Sequence, residues 1–340
     1  MRENWARYSR QMLFSPIGQA GQEKLSTSKV LIIGMGALGT VIANHLTRAG
    51  VGHLVFCDRD YVELSNLQRQ MLFDEEDVKQ VLPKVVAAEK KLKRMNSDVK
   101  IEGHVTDISS SNMEDYLHGV DVVIDGTDNF YTRYLMNDAA FKHTIPYIYG
   151  GAVSSRGMGA VFIPGKTVCL RCIFPSFDGT GQTCDTIGVL SPTVDMVASL
   201  QALNCLKLLT GNADTIPEKL VTFDLWKNEQ ISMGMPKPNP TCPTCQLKEY
   251  PALGNGEWGQ MTTLCGRDTV QIHYTLSHDL TYWEKTLKGI SKSTNMTPFL
   301  LKVVLHEGER FVLFPDGRTL VQGTEDIGRA KALYTKYLGL

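Results

Sequence analysis

Gly34, Gly36 and Gly39 stand in GxGxxG spacing between an apolar run, Lys29 to Gly34, and a helical pattern that continues to Gly50. Glycines at a strand-to-helix turn let backbone N–H groups approach a phosphate, and the helix they open favours negative charge at its N-terminus. The chemistry suggested is nucleotide binding, with a tight structural turn as the alternative. A second apolar run, His53 to Cys57, ends at Asp58, as the acid of a βαβ nucleotide fold does where it holds ribose hydroxyls. Asn66, Arg69, Gln70 and Lys84 follow. Bound NAD needs little positive charge beyond the helix end. A triphosphate needs more, and Arg69 and Lys84 beside the glycine turn would supply it. A solvated lysine is an equal alternative for Lys84.

A second group is made of cysteines. Cys169 and Cys172 form CLRC, and Cys242 and Cys245 form CPTC in a proline-rich, apolar-poor segment. Two CxxC pairs fit a tetrahedral zinc site that ties distant segments together, and four thiolates leave the ion no position for an activated water. The zinc is therefore expected to be structural, with a redox pair as the alternative. Cys57, Cys205 and Cys265 have apolar or undistinguished neighbours and read as buried small hydrophobes. Cys184 lies among small, flexible residues, GTGQTCDTIG.

The elements that must position these residues follow from the patterning. Pro83 sits where a first helical position would be, and KVVAAEKKLKRMN continues the helix to about Asn96. A strand is expected over Lys100 to Val105, a short helix over Met113 to His118, and a buried strand in VDVVIDGTDN that breaks at Gly126. Asp128 begins the next helix, either as its cap or as a ligand contact at the carboxyl end of a parallel strand. IPYIYGG and an antiparallel run, GMGAVFIPG, extend the sheet; SPTVDMVASLQALNCLKLLTG is a long apolar helix, and KLVTFDLW closes the domain. The fold expected is α/β: a Rossmann-like mixed, mainly parallel sheet with helices on both faces and a four-cysteine zinc knuckle. Residues 1–250 form this domain. Residues 251–340, with a strand TVQIHY, a helix TYWEKTLKGI, a hairpin-like pair and a last helix DIGRAKALYTKYLG, form a small α+β unit without an obvious catalytic set.

Taken together, RYSRQ near the N-terminus, the glycine turn, LSNLQRQ, the Asp128–Asn129 pair and the two CxxC pairs resemble the MoeB/ThiF family of ATP-dependent adenylyltransferases, bacterial relatives of the ubiquitin-activating enzymes. The resemblance covers about residues 5 to 246. It implies ATP as substrate, Asp128 on a magnesium ion at the triphosphate, Asn66 and Gln70 positioning phosphates, and Arg10 reaching into the ATP site of a partner subunit in a homodimer. It also implies a small ubiquitin-like sulfur carrier protein, ending in Gly-Gly, as the molecule whose carboxylate is adenylated. The matching family cysteine of Cys184 takes part in sulfur transfer in some members and not in others. The resemblance does not choose between molybdopterin and thiamine biosynthesis.

Bulk properties exclude other classes. The chain has 340 residues and a formal charge of −1, so net charge suggests no nucleic-acid or anionic-membrane partner. No apolar run approaches the roughly 18 residues of a membrane span, and the charged N-terminus lacks the apolar core of an export signal. With eight cysteines, reduced thiols or metal ligands in the cytoplasm are expected. An NAD-dependent oxidoreductase would share the βαβ unit, and a relative activating a tRNA-base carboxyl would share the core but typically lacks the CxxC pairs. A non-catalytic scaffold that binds nucleotide and zinc is the remaining alternative.

Overall fold

The structure, a computed structural model, describes residues 3–175, 187–254, 261–264, 268–273 and 277–339. These divide into two compact units, one ending at Gly254 and the other formed by the described residues from 261 onward.

The first unit is built on eight strands: β1 Lys29–Ile33, β2 His53–Asp58, β3 Lys100–Val105, β4 Val122–Asp125, β5 Tyr147–Val153, β6 Arg156–Phe162, β7 Lys219–Asp224 and β8 Glu229–Gly234. Their order in the sheet is β3-β2-β1-β4-β5-β6-β7-β8. Pairs from β3 through β5 are parallel, and those from β5 through β8 are antiparallel. The register sets Val30 between Leu54 and Val122. This is the mixed α/β sheet expected from the sequence, with one addition. KLVTFDLW does not close the domain: β8 follows it at the edge, exposed at every residue.

Alternation along β1 shows why helices cover both faces. Val30 and Ile32 join one core with Ile42 and Leu46 of α1 (Ala37–Ala49), Val85 of α2 (Lys84–Met95) and Ala198 of a later long helix. Leu31 and Ile33 join the opposite core with Leu135, Met136 and Ala139 of α3 (Phe130–Lys142). A parallel strand buried on both faces is apolar where it is enclosed, and VLII, which follows the half-buried Lys29, is. The long apolar helix is α4, Ser191–Thr210, packed in the first core through Val194, Val197, Ala198, Ala202 and Cys205. Cys57 and Cys205 are buried, as expected; Cys265 lies outside the described residues. The short helix expected at 113–118 is a single 3-10 turn, Met113–Tyr116.

The second unit is a six-stranded antiparallel sheet, with strands Met261–Leu264, Thr269–His273, Ser293–Met296, Leu301–Val304, Arg310–Leu313 and Arg318–Gln322. Val270, Leu301, Phe311 and Val321 share its core with Leu287 of one helix and Leu333, Tyr334 and Tyr337 of the last helix, Ile327–Leu338.

Candidate active site

The glycines have separate jobs. Gly34 has φ +91°, and a side-chain Cβ there would lie 2.5 Å from the Gly126 carbonyl oxygen. A Cβ on Gly39 would lie 2.0 Å from the Gly34 carbonyl oxygen, so its absence lets α1 pack against the end of β1. Gly36 is different. Only Gln70 Nε2, at 3.9 Å, comes near its missing Cβ, so the space in front of it is open. Two of the glycines are held by close backbone approaches, and the third faces open space.

The turn is joined to the ends of both neighbouring strands. On one side the Met35 N–H donates to Asp58 Oδ2 at 2.7 Å, while the Asp60 N–H donates to Asp58 Oδ1 at 2.7 Å. On the other, the Gly126 N–H donates to the Ile33 carbonyl at 2.8 Å. The carboxyl ends of β2, β1 and β4 therefore lie side by side at one edge of the sheet, the edge outside which open α/β sheets bind ligands. Burial pushes the Asp58 carboxyl above the usual carboxylate range, against the pull of the Lys84 ammonium and with Asp60 adding to the rise.

Lys84 is not a solvated lysine. Its side chain is 3% exposed and its Nζ lies 3.1 Å from Asp60 Oδ2. Pro83, with φ −56° and ψ 141°, caps α2 rather than opening it, and Lys84 is the first helical residue. The segment before the lysine is fixed by a bridge between Tyr61 and Pro83 and by the Val62 N–H on the Leu82 carbonyl at 2.8 Å.

Between Asp58 and Lys84 the chain makes a 3-10 turn, Leu64–Asn66, closed by Asn66 Oδ1 accepting the Glu63 N–H at 3.0 Å. Asn66 thus shapes the loop. Arg69 donates to the Ser65 carbonyl at 2.9 Å. Gln70 is buried, and its Oε1 has no hydrogen-bond partner. An unpaired buried amide oxygen is costly unless something donates to it, and this amide borders the space left by Gly36.

At the end of β4, Asp125 is fully buried and accepts from Arg133 Nε at 2.9 Å and from the Thr127 N–H and hydroxyl at 2.8 Å. Arg133 also donates to the carbonyls of Thr127 and Gly150, and lies over the Phe130 and Tyr149 rings. These contacts hold the loop that carries Asp128. The cap of α3 is Asn129, whose side chain accepts the Thr132 N–H at 2.9 Å. Asp128 is neither cap nor first helical residue: it precedes the cap and is exposed. An exposed carboxylate in the loop after β4 has the chemistry to take a divalent cation.

The four cysteines converge. Sγ of Cys169 lies 3.5 Å from that of Cys242, as does Cys172 from Cys245, and all four sulfurs fall within 4.8 Å of one another. Zinc–sulfur bonds of about 2.3 Å in a tetrahedron require S···S spacings of about 3.8 Å, so the donor set fits zinc. Burial and the neighbouring thiols push the Cys172 thiol up to about 11, against a backbone N–H from Asn239. Asp138 of α3, buried completely, draws the two knuckle segments together. It accepts from Arg171 Nε and Nη2 at 3.1 and 3.0 Å, from the Thr244 hydroxyl at 2.5 Å and from the Ala252 N–H at 2.8 Å. Asn137 beside it accepts the Leu170 N–H.

The ThiF family model matches residues 8–244. The chain belongs to the ThiF family. A sulfur carrier protein ThiS adenylyltransferase from Bacillus subtilis (strain 168) is 44% identical over 336 residues, spanning 98% of this chain and 99% of that one. Another of that name, from Escherichia coli (strain K12), is 38% identical over 243 residues, or 71% of this chain and 95% of its own. Among solved structures, E. coli MccB with MccA-N7isoASN superposes with a TM-score of 0.62 at 23% identity, covering 71% of this chain and 74% of that one. That likeness is one of fold.

In this ThiF-family chain Arg10 stands exposed in a short helix, Ser9–Met12, with no ion pair among the described residues. Cys184 lies outside the described residues. Sequence patterning does not single out Asp60, Asp125, Arg133 or Asp138, because the ion pairs they form, Asp60 with Lys84, Asp125 with Arg133 and Asp138 with Arg171, join elements that the pattern reads separately. The signal that points nearest to them is the run VDVVIDGTDN itself, whose buried strand ends on a carboxylate. Among the described residues, no helix is long and apolar enough to cross a membrane.

Proposed function

We propose that this ThiF-family protein uses ATP to adenylate the C-terminal carboxylate of a small ubiquitin-like sulfur carrier protein, releasing pyrophosphate. The observation that carries the reading is the arrangement at the carboxyl ends of β2, β1 and β4. A glycine turn open at Gly36 lies between the acid ending β2 and the loop ending β4, with the buried lysine of α2 paired to the segment that follows β2. The adenylyltransferase names of the bacterial relatives support it. The B. subtilis likeness runs through the second unit as well, which favours a ThiS-type carrier and the thiamine branch.

The reaction suits these residues. An α-carboxyl group has a pKa of about 3.5, so the carrier's terminus is an anion at neutral pH and needs no general base. Its oxygen attacks the α-phosphorus, the bond from that phosphorus to the bridging oxygen breaks, and pyrophosphate leaves with the electron pair. The difficulty is anion meeting anion. Lys84 and Arg69 offset that charge, Arg10 from a second copy of the chain adds an arginine finger, and Asp58 receives the ribose hydroxyls. Gln70 and Asn66 order the phosphate side. Asp128 is the residue to hold magnesium, which when bound neutralises phosphate charge. A Gly-Gly ending on the carrier lets its tail enter a narrow groove without side chains. No thiol takes part in this step, so Cys184 belongs to any later sulfur transfer. The zinc held by Cys169, Cys172, Cys242 and Cys245 is structural, and a reduced four-thiol site suits the cytoplasm.

The test is ATP–pyrophosphate exchange with and without a carrier ending in Gly-Gly. Exchange that depends on the carrier is expected. Asp128→Ala should cut it by about a hundredfold, or roughly 3 kcal/mol of transition-state stabilisation, without unfolding the protein. Near wild-type exchange in that variant contradicts the assignment of Asp128.

A further inference from the structure

We infer that Asp60 is the positioning residue that ties Lys84 to the ribose-side acid Asp58 and holds its ammonium ready for the triphosphate. The inference rests on the adenylation reading above. Three different atoms of Asp60 make the connection. Its N–H donates to Asp58 Oδ1 at 2.7 Å, its carbonyl accepts the Lys84 N–H at 2.9 Å, and its Oδ2 lies 3.1 Å from Lys84 Nζ. One residue thus fixes the acid at the end of β2, the first residue of α2 and the tip of that residue's side chain.

Lys84 is buried at 3% side-chain exposure, and Asp60 is largely enclosed at 14%. A lysine so enclosed needs a counter-charge, and removing one partner leaves the other buried and unpaired. An ammonium has three N–H donors. With one on Asp60, two remain for phosphate oxygens, and an ammonium held in place needs no rearrangement as charge develops on the leaving pyrophosphate. Asp60 itself is the wrong sign to bind a triphosphate. Its contribution therefore acts through Lys84, on the charge that develops as pyrophosphate leaves.

That assignment predicts a split between binding and turnover. Asp60→Asn keeps the size and an acceptor oxygen but removes the charge. Turnover in carrier-dependent exchange, normalised to the ATP-binding stoichiometry of each preparation, should fall about tenfold or more, while the ATP Kd stays within about threefold of wild type or tightens. Asp60→Glu restores the charge one methylene away and should recover part of the loss; it also carries the test if the asparagine variant does not fold, with turnover between wild type and the Lys84→Met variant. Wild-type turnover per binding site in Asp60→Asn overturns the inference. So does a loss of turnover that is matched by an equal loss of ATP affinity, because that pattern belongs to a collapsed site. A wild-type protein that shows no carrier-dependent exchange removes the adenylation reading and this inference together, whereas failure in the variants alone removes only the inference.

Discussion

The Thr244 hydroxyl donates to Asp138 Oδ1 at 2.5 Å, across 106 positions of chain. The same carboxylate takes both arms of Arg171, so one helix residue holds the second position after a cysteine in CLRC and in CPTC. The knuckle is organised from outside as well as from within.

Asp138→Ala should therefore act on the four-cysteine site without touching a cysteine. Breaking a buried ion pair costs about 3–5 kcal/mol, and the two knuckle segments lose a shared anchor. A lower melting temperature and faster loss of zinc to a chelator are expected, read by calorimetry and a colorimetric zinc assay. Cys242→Ser should lower the melting temperature too, since a structural metal couples binding to folding. A reversible disulfide in place of zinc would instead indicate a redox role.

The glycines provide a second contrast. A Cβ at Gly39 meets the Gly34 carbonyl oxygen at 2.0 Å, whereas one at Gly36 has only Gln70 Nε2 at 3.9 Å. Gly39→Ala should destabilise the fold by about 3 kcal/mol or more, as overpacking against backbone does. Gly36→Ala should melt near wild type yet bind ATP more weakly, because the methyl group would enter the open space proposed for the phosphate. Thermal melts and titration calorimetry separate the two, and weakened folding in Gly36→Ala with intact ATP affinity would reverse the roles of these glycines.

The parts of this site visible in sequence are those whose signal is local. GxGxxG spacing locates the turn, and an apolar run ending in Asp58 locates the acid. Lys84 is otherwise. From local sequence it is a solvated lysine or an anion contact, because its partner, Asp60, lies 24 positions earlier across the Tyr61–Pro83 bridge. Asp128 and Asn129 are both good caps, and only the backbone chooses between them. Asp138 is hidden because α3 is enclosed on more than one side, by the sheet and by the knuckle, so a polar residue there reads as a solvent face. Strand β8 escapes notice for the opposite reason: every residue is exposed, and no core imprints an alternation on it.

Arg10 yields a third prediction. It is exposed and unpaired among the described residues, consistent with work done on another copy. If it acts in trans, Arg10→Ala and Asp128→Ala proteins should each be nearly inactive. In a mixed dimer one site lacks both groups and the other lacks neither. Random co-refolding should then recover up to about a quarter of wild-type exchange, because half the dimers are mixed and each has one working site of two. Mixtures that stay inactive despite subunit exchange would put Arg10 in its own site or outside catalysis.

The central claim is that a carrier's terminal carboxylate becomes joined to AMP. Its most direct measurement is mass spectrometry of a Gly-Gly-ending ThiS-type carrier after incubation with this protein, ATP and magnesium, with pyrophosphatase present to draw the reaction forward. The expected result is a carrier heavier by one adenylyl group at its C-terminal glycine, absent when ATP or the enzyme is omitted and formed about a hundredfold more slowly by Asp128→Ala. A carrier of unchanged mass, with no phosphate formed beyond the carrier-free control, would contradict the account.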